Sequence, residues 1–165
     1  AATFCWIAGK NAAERAIGIS GFRRVEEDPL VQERQKLYSN LLERDTGPDW
    51  REANLALQQI MQDYAGVIVR SDTLLRAGLK YFADLKEKVL DTLKANNSHT
   101  LMRCMEVLDL LECGEAVLLM ALERKETRGL HIRSDFPFTN PLLADKWITI
   151  RKEDNTPILE WRDKN

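Results

Sequence analysis

The sequence is short of the residues on which many small enzymes build a site. It holds two histidines and three cysteines in 165 residues, and neither type forms a pair at metal-binding spacing. Cys5, Cys104 and Cys113 are odd in number, widely spaced and without a C-x-x-C pair, which argues against a disulfide framework, a zinc site and an iron–sulfur site. They point instead to a reducing, cytoplasmic compartment. No Gly-rich phosphate loop stands at a strand–helix junction, and G-x-S-x-G does not occur. No uncharged apolar run approaches the ~18 residues a membrane helix needs, which excludes direct membrane insertion. The opening AATFCWIAGKNAAERA lacks the basic start and apolar centre of a secretory signal. Excess charge is missing too. A net charge of −2 and a pI near 5.8 give no global attraction to nucleic acid or to an anionic membrane.

What remains is an ordinary globular composition, 44% apolar and 30% charged, in one domain's length of chain. Its periodicity predicts a mainly α fold: an antiparallel helical bundle with a short C-terminal β-hairpin. A first helix runs from Ala1 to Ile17 and begins uncapped, inside an apolar pattern of Ala2, Phe4, Cys5 and Ala8. GISGF breaks it. A second helix starts at Asp28 and Pro29 as cap and first position, and continues to about Arg44 with Leu30, Leu37, Leu41 and Leu42 as its stripe. A third follows from about Asp49, carrying Leu55, Leu57, Ile60, Met61 and Tyr64, with Gly66 as a left-handed terminator. Ser71 or Asp72 caps a fourth, whose Leu75, Leu79, Phe82, Leu85, Val89 and Leu93 step by threes and fours. Ser98 or Thr100 caps a long fifth helix, drawn to Arg128. In WITIRKEDNTPILEW the period changes to two: Trp147, Thr149 and Arg151 alternate with Ile148 and Ile150, and Ile158, Leu159 and Trp161 follow a polar turn. A lone hairpin is marginal in water, so this one should lie on something.

Candidate chemistry is sparse. His99 reads as a helix-start residue that bonds locally or faces water, and Glu106, Asp109 and Glu112 as a solvated helix face. Glu115 falls on the face defined by Leu108, Leu111, Leu118 and Leu122, so it is either a catalytic acid or one half of a buried ion pair. The abundance of arginine favours the pair. The densest feature is ERKETRGLHIRSDFP, where Arg124, Lys125, Arg128, Arg133 and His131 crowd among Glu123, Glu126 and Asp135 at the end of the most apolar helix. As a surface this is a salt-bridge lattice; as an interface it is a docking face, because arginine forks suit carboxylates and desolvated contacts. Composition leaves both open.

The order of these residues resembles a signature of the flavoprotein subunits of succinate dehydrogenase and fumarate reductase. Their C-terminal helical domain carries arginine–x–glutamate–Ser/Thr–arginine–glycine–x–histidine–x–arginine–x–aspartate. Here the run stands as Arg124, Glu126, Thr127, Arg128, Gly129, His131, Arg133 and Asp135. LQQIMQDYAGVIVRSDTLLRAGL is similar to the family's helix pair, LMRCMEVLDLLECGEAVLLMAL to its long helix and KWITIRKEDNTPILEW to its terminal hairpin. ALQQIMQDYAG and RKETR resemble the adenylylsulfate reductase branch as closely, while Gly129 favours the fumarate side.

The resemblance implies a piece of a larger FAD-dependent oxidoreductase. Residues 1–17 would close an upstream FAD-binding domain, 18–135 would form the helical domain, and 136–165 a C-terminal extension with the hairpin. FAD and its catalytic and binding residues would lie in the intact parent, with no catalytic, cofactor-binding or metal residue in this chain. Arg124, Glu126, Arg128, His131, Arg133 and Asp135 would dock against the FAD-binding and capping domains, or against an iron–sulfur subunit that brings the protein to a membrane. Phe4, Trp6 and the hairpin, cut from their cover, would favour self-association. Two rivals stand beside this reading: a free-standing helical module that binds an acidic protein, and an enzyme using Glu115 and His131 as acid and base.

Overall fold

A computed structural model describes residues 2–19, 21, 28–66, 69–154 and 156–164. Ala1, Ser20 and Phe22, which fall within the expected first helix and its break, lie outside these residues, as does Asn155 in the hairpin turn. Five helices lead to a two-stranded sheet: α1 (Ala2–Ile17), α2 (Pro29–Glu43), α3 (Trp50–Ala65), α4 (Asp72–Thr92), α5 (Ser98–Glu123), a 3-10 turn (Pro141–Leu143), β1 (Lys146–Glu153) and β2 (Thr156–Asp163). This is the mainly α architecture with a terminal hairpin that the periodicity predicts. The chain divides into two compact units, 1–39 and 40–165, so the bundle and the hairpin share one unit.

In the first unit α1 leaves Phe4 and Trp6 about three-quarters exposed, and Ile17 more so. In α2 the Asp28 carboxylate accepts the Leu30 N–H at 2.9 Å beside Pro29, as the capping pattern predicts.

The second unit is a bundle of α3, α4 and α5, each packed on the other two. Short connections between consecutive helices make them antiparallel neighbours. Buried apolar side chains lie where threes and fours place them: Leu57 on α3; Leu75, Phe82 and Val89 on α4, with Leu93 just beyond; Cys104, Val107, Leu111 and Leu118 on α5. Two glycines set the helix spacing. A Cβ on Gly78 would sit 2.7 Å from Tyr64 Cβ, and one on Gly114 would overlap Phe82 Cζ. The α4–α3 and α5–α4 crossings therefore bring backbone close to a neighbouring side chain, which adds dispersion contacts.

Three local expectations are corrected. Gly66 ends α3 with φ −52° and ψ 158°, extended and not left-handed. Its need for glycine is steric, because a Cβ there would lie 2.7 Å from the Gln62 carbonyl oxygen. The cap of α5 is Asn97, one residue before Ser98. Its side chain accepts the Thr100 N–H at 2.9 Å while the Thr100 hydroxyl accepts the Asn97 N–H at 3.0 Å, a reciprocal capping box. α5 stops at Glu123, not Arg128, and its 26 residues span about 39 Å.

β1 and β2 pair antiparallel with Ile148 opposite Trp161 and Ile150 opposite Leu159. Asp154 takes a left-handed φ of 46° in the connecting turn. The hairpin lies on α5 through β1. Lys152 pairs with Glu112 at 3.4 Å, and the Trp161 indole N–H donates to Glu123 at 3.0 Å. Among the described residues no helix is long and apolar enough to cross a membrane.

Candidate functional site

An α-helix ends with carbonyl oxygens that have no partner of their own, and with a partial negative charge. The last turns of α3, α4 and α5 contain no basic residue. Each end is instead met by an arginine from another segment. Arg70 Nε donates to the Ala65 carbonyl of α3 at 3.1 Å. Arg44 donates to the Leu93 and Leu90 carbonyls at the end of α4, at 2.5 and 2.7 Å. Arg133 Nη1 donates to the Ala121 and Leu122 carbonyls of α5 at 2.7 and 3.1 Å. The third of these is the centre of the basic knot.

Arg133 is 1% exposed, the largest fully buried side chain among the described residues. Its remaining donors form a fork onto Asp135, Nε to Oδ1 at 2.8 Å and Nη2 to Oδ2 at 2.6 Å. Asp135 also accepts the Asp72 N–H at the start of α4, at 2.9 Å. The Arg133 fork, followed by that amide, holds the Asp135 carboxyl down to about 2. One guanidinium and one carboxylate thus tie the end of α5 to the beginning of α4.

Glu126 is the second buried charge, with 0% exposure. Arg124 Nε and Arg128 Nε meet its Oε1 at 2.8 and 3.0 Å, and Arg128 Nη2 and the Asn140 N–H meet its Oε2 at 3.0 and 2.9 Å. Burial pushes its pKa up, but the bonds from Arg128, Asn140 and Arg124 outweigh that and hold it below the usual carboxylate value. Arg124 reaches on to the Leu143 carbonyl and lies 5.5 Å over the Trp161 ring, while Arg128 reaches the Asn140 carbonyl. The Glu126 cluster therefore fastens the segment after α5 to the approach of the hairpin.

Between the two clusters the backbone makes a tight turn. Arg128 and His131 exchange N–H···O bonds at 2.9 and 3.0 Å around Gly129, whose φ of +57° suits a residue without Cβ. Leu130 at its tip is 76% exposed. His131 turns inward: Arg70 Nη1 approaches its Nδ1 at 2.9 Å, and its Nε2 lies 2.9 Å from the Arg124 carbonyl. Thr127 closes the turn, accepting the Arg133 N–H at 2.9 Å and lying 3.0 Å from the Phe136 carbonyl. Arg70 joins by backbone as well, its N–H to the Ile132 carbonyl and its carbonyl to the Ser134 N–H, at 2.9 and 2.8 Å.

The structure thus gathers all six expected docking residues into one clasp, with Lys125 the only cation of the run that makes no ion pair among the described residues. Composition showed the density but not the partners. Arg70, Arg44 and Asn140 were missed as members of helix-end contacts. The readable signal is negative: the last turns of these three helices carry no cation of their own.

Glu115 lies apart from the clasp. It pairs with Lys86 of α4 at 2.8 Å, and both side chains are about one third exposed, so the pair edges a groove and is not buried in the core. The partner is a lysine one helix away, not an arginine of the knot. The groove, about 460 Å³, lies among Lys86, Glu112, Glu115, Leu119, Ile150 and Lys152. Its cations are all engaged in ion pairs, Lys86 with Glu115, Lys152 with Glu112, and Arg151 with Glu153 and Glu160, which leaves no free donor set for a flavin pyrophosphate there. The residues present do not fit FAD, and no step through it is assigned to them. Among the described residues no three histidine, cysteine or carboxylate side chains are placed to hold a metal.

Residues 54–163 match a family model described as the fumarate reductase flavoprotein C-terminus. The chain is 36% identical to an uncharacterised FAD-dependent oxidoreductase of Methanocaldococcus jannaschii over 50% of its length and 15% of that protein's. It is 30% identical to the chloroplastic L-aspartate oxidase of Oryza sativa subsp. japonica over 66% of its length and 16% of that protein's. Its fold superposes on adenylylsulfate reductase from Archaeoglobus fulgidus with a TM-score of 0.74 at 24% identity, covering 82% of this chain and 24% of that one. The chain therefore spans about one sixth to one quarter of the proteins it matches. With the clasp inside the matched residues, the conclusion is direct: this chain belongs to the family of fumarate reductase flavoprotein C-terminal domains.

Proposed function

We propose that this chain is the C-terminal scaffold of an FAD-dependent oxidoreductase, and that the clasp of residues 124–140 holds it rigid while its outer surface docks on the rest of the enzyme. FAD and the reacting groups belong, in this reading, to the remainder of the parent polypeptide. Residues 1–17 form the element that closes the FAD-binding domain, 18–135 the helical domain and 136–165 the extension. The observation that carries the proposal is the burial of Arg133, whose bonds connect the ends of α5 and α4, and of Glu126, whose bonds fasten the following segment to the approach of the hairpin. Charges held this firmly keep a docking face in one geometry. The matched proteins bear the names of different chemistries, L-aspartate oxidase and adenylylsulfate reductase among them. A domain common to them is a support, and its residues do not choose the substrate. An iron–sulfur subunit is a second surface against which the same face would pack.

The turn tip supplies the test, since Leu130 is exposed and its replacement leaves the clasp's bonds in place. In the full-length enzyme, Leu130→Asp is expected to weaken flavin retention or subunit assembly, read by flavin absorbance and size-exclusion chromatography, with the helical spectrum unchanged. Full flavin content and intact assembly in that variant would remove docking from the account. A gene product with no G-x-G-x-x-G at a strand–helix turn before these residues would favour the free-standing module.

A further inference from the structure

The inward histidine of the clasp has a forced protonation state. A guanidinium only donates, so the contact from Arg70 Nη1 at 2.9 Å requires a bare Nδ1. The proton of the neutral ring then sits on Nε2 and is donated to the Arg124 carbonyl at 2.9 Å. A second proton would land on Nδ1, facing a donor that has no lone pair to offer.

Among the described residues, the charged groups that act on the ring all work against that proton. Arg70 approaches from the segment between α3 and α4, Arg124 from the end of α5, and Arg133 from the extended segment after the turn. The carboxylates of the same clasp are engaged elsewhere, Glu126 by Arg124 and Arg128 and Asp135 by Arg133. Burial first, and then these three cations, hold the ring below its ordinary 6.5 against the opposing bond to the Arg124 carbonyl.

We propose that His131 is an acid-released latch: as the neutral Nε2–H tautomer it ties the Arg70 guanidinium to the clasp, and on protonation it releases that guanidinium and loosens the Arg128–His131 turn. This does not rest on the flavoenzyme reading. Loss of the latch leaves the Arg133–Asp135 fork, the bond from Arg70 to the Ala65 carbonyl and the Arg70 backbone bonds to Ile132 and Ser134 in place, so the bundle stays folded while the turn around Gly129 loosens. The direction follows from linkage. A group whose folded pKa lies below its unfolded value gives its full stabilisation above 6.5 and loses it as pH falls through the folded value.

The chain has two histidines, and His99 is exposed near the opposite end of α5, so the ring signals are separable. Nitrogen-detected NMR of the full chain, titrated from neutral to acid, reads the tautomer and the midpoint together. The expected result is a bare Nδ1 and protonated Nε2 at neutral pH, and a His131 midpoint below 6.5. Amide exchange at His131 should accelerate about tenfold across that midpoint, beyond the intrinsic pH effect. His131→Gln, which offers Arg70 an acceptor that does not titrate, should abolish the acid step. A proton on Nδ1 at neutral pH, a midpoint at or above 6.5, or an acid step that persists in His131→Gln would overturn the latch. The wild-type titration decides the matter even where the variant does not fold.

Discussion

Three arginines, at the scale of single residues, stand in for missing helix-end cations: Arg44, Arg70 and Arg133. Among the described residues, Arg133 and Glu126 are the two charged side chains that are fully buried, and each is surrounded by polar partners from several segments. A buried charge whose partner is removed is far more costly than the pair was favourable. Glu126→Ala would leave Arg124 and Arg128 without their carboxylate and the Asn140 N–H without its acceptor. The expected loss is about 3–5 kcal/mol in urea unfolding at neutral pH. A change below roughly 1 kcal/mol would mean that water replaces the carboxylate freely, and that the cluster is no clasp.

At the scale of elements, the glycine notches decide how closely the helices approach. Gly114→Ala would drive a methyl group into the Phe82 ring, which is 1% exposed and cannot turn aside into water. Alanine's better helix propensity offsets about 1 kcal/mol, against an overpacking cost of about 1–3 kcal/mol. A net loss in melting temperature is expected, while the same substitution at Gly9 of α1, where nothing lies within 4 Å, should raise helix stability. Equal responses at the two sites would refute the close crossing. The elements themselves were largely readable: Leu57, Leu75, Phe82, Val89, Leu93, Leu111 and Leu118 fall on stripes of threes and fours and are buried. The ends were less so. Asn97, Ser98 and Thr100 are all good caps, and local sequence does not rank them until the capping box forms. ERKETR has the propensity to continue α5, but tertiary bonds from Arg133 to the Ala121 and Leu122 carbonyls end the helix sooner. At Gly66 the constraint is a neighbouring carbonyl and not φ, a distance that no single position encodes.

At the scale of the whole molecule, the clasp binds the chain's own segments to one another. The density of charge in residues 124–135 was visible in the sequence, and so was the order that resembles a known signature. That the run binds itself was not, because its partners come from Arg70, Asp72, Ala121 and Asn140 as well as from within it. The measurement that bears most directly on the central claim is the urea unfolding of Arg133→Lys beside Arg133→Met. A lysine keeps the charge but offers a point donor where a planar fork serves two helix-end carbonyls and both Asp135 oxygens. The account predicts that both variants lose stability by similar amounts, on the order of 3 kcal/mol or more. A lysine variant with the wild-type midpoint would contradict it, because charge alone would then suffice and the clasp geometry would carry no weight.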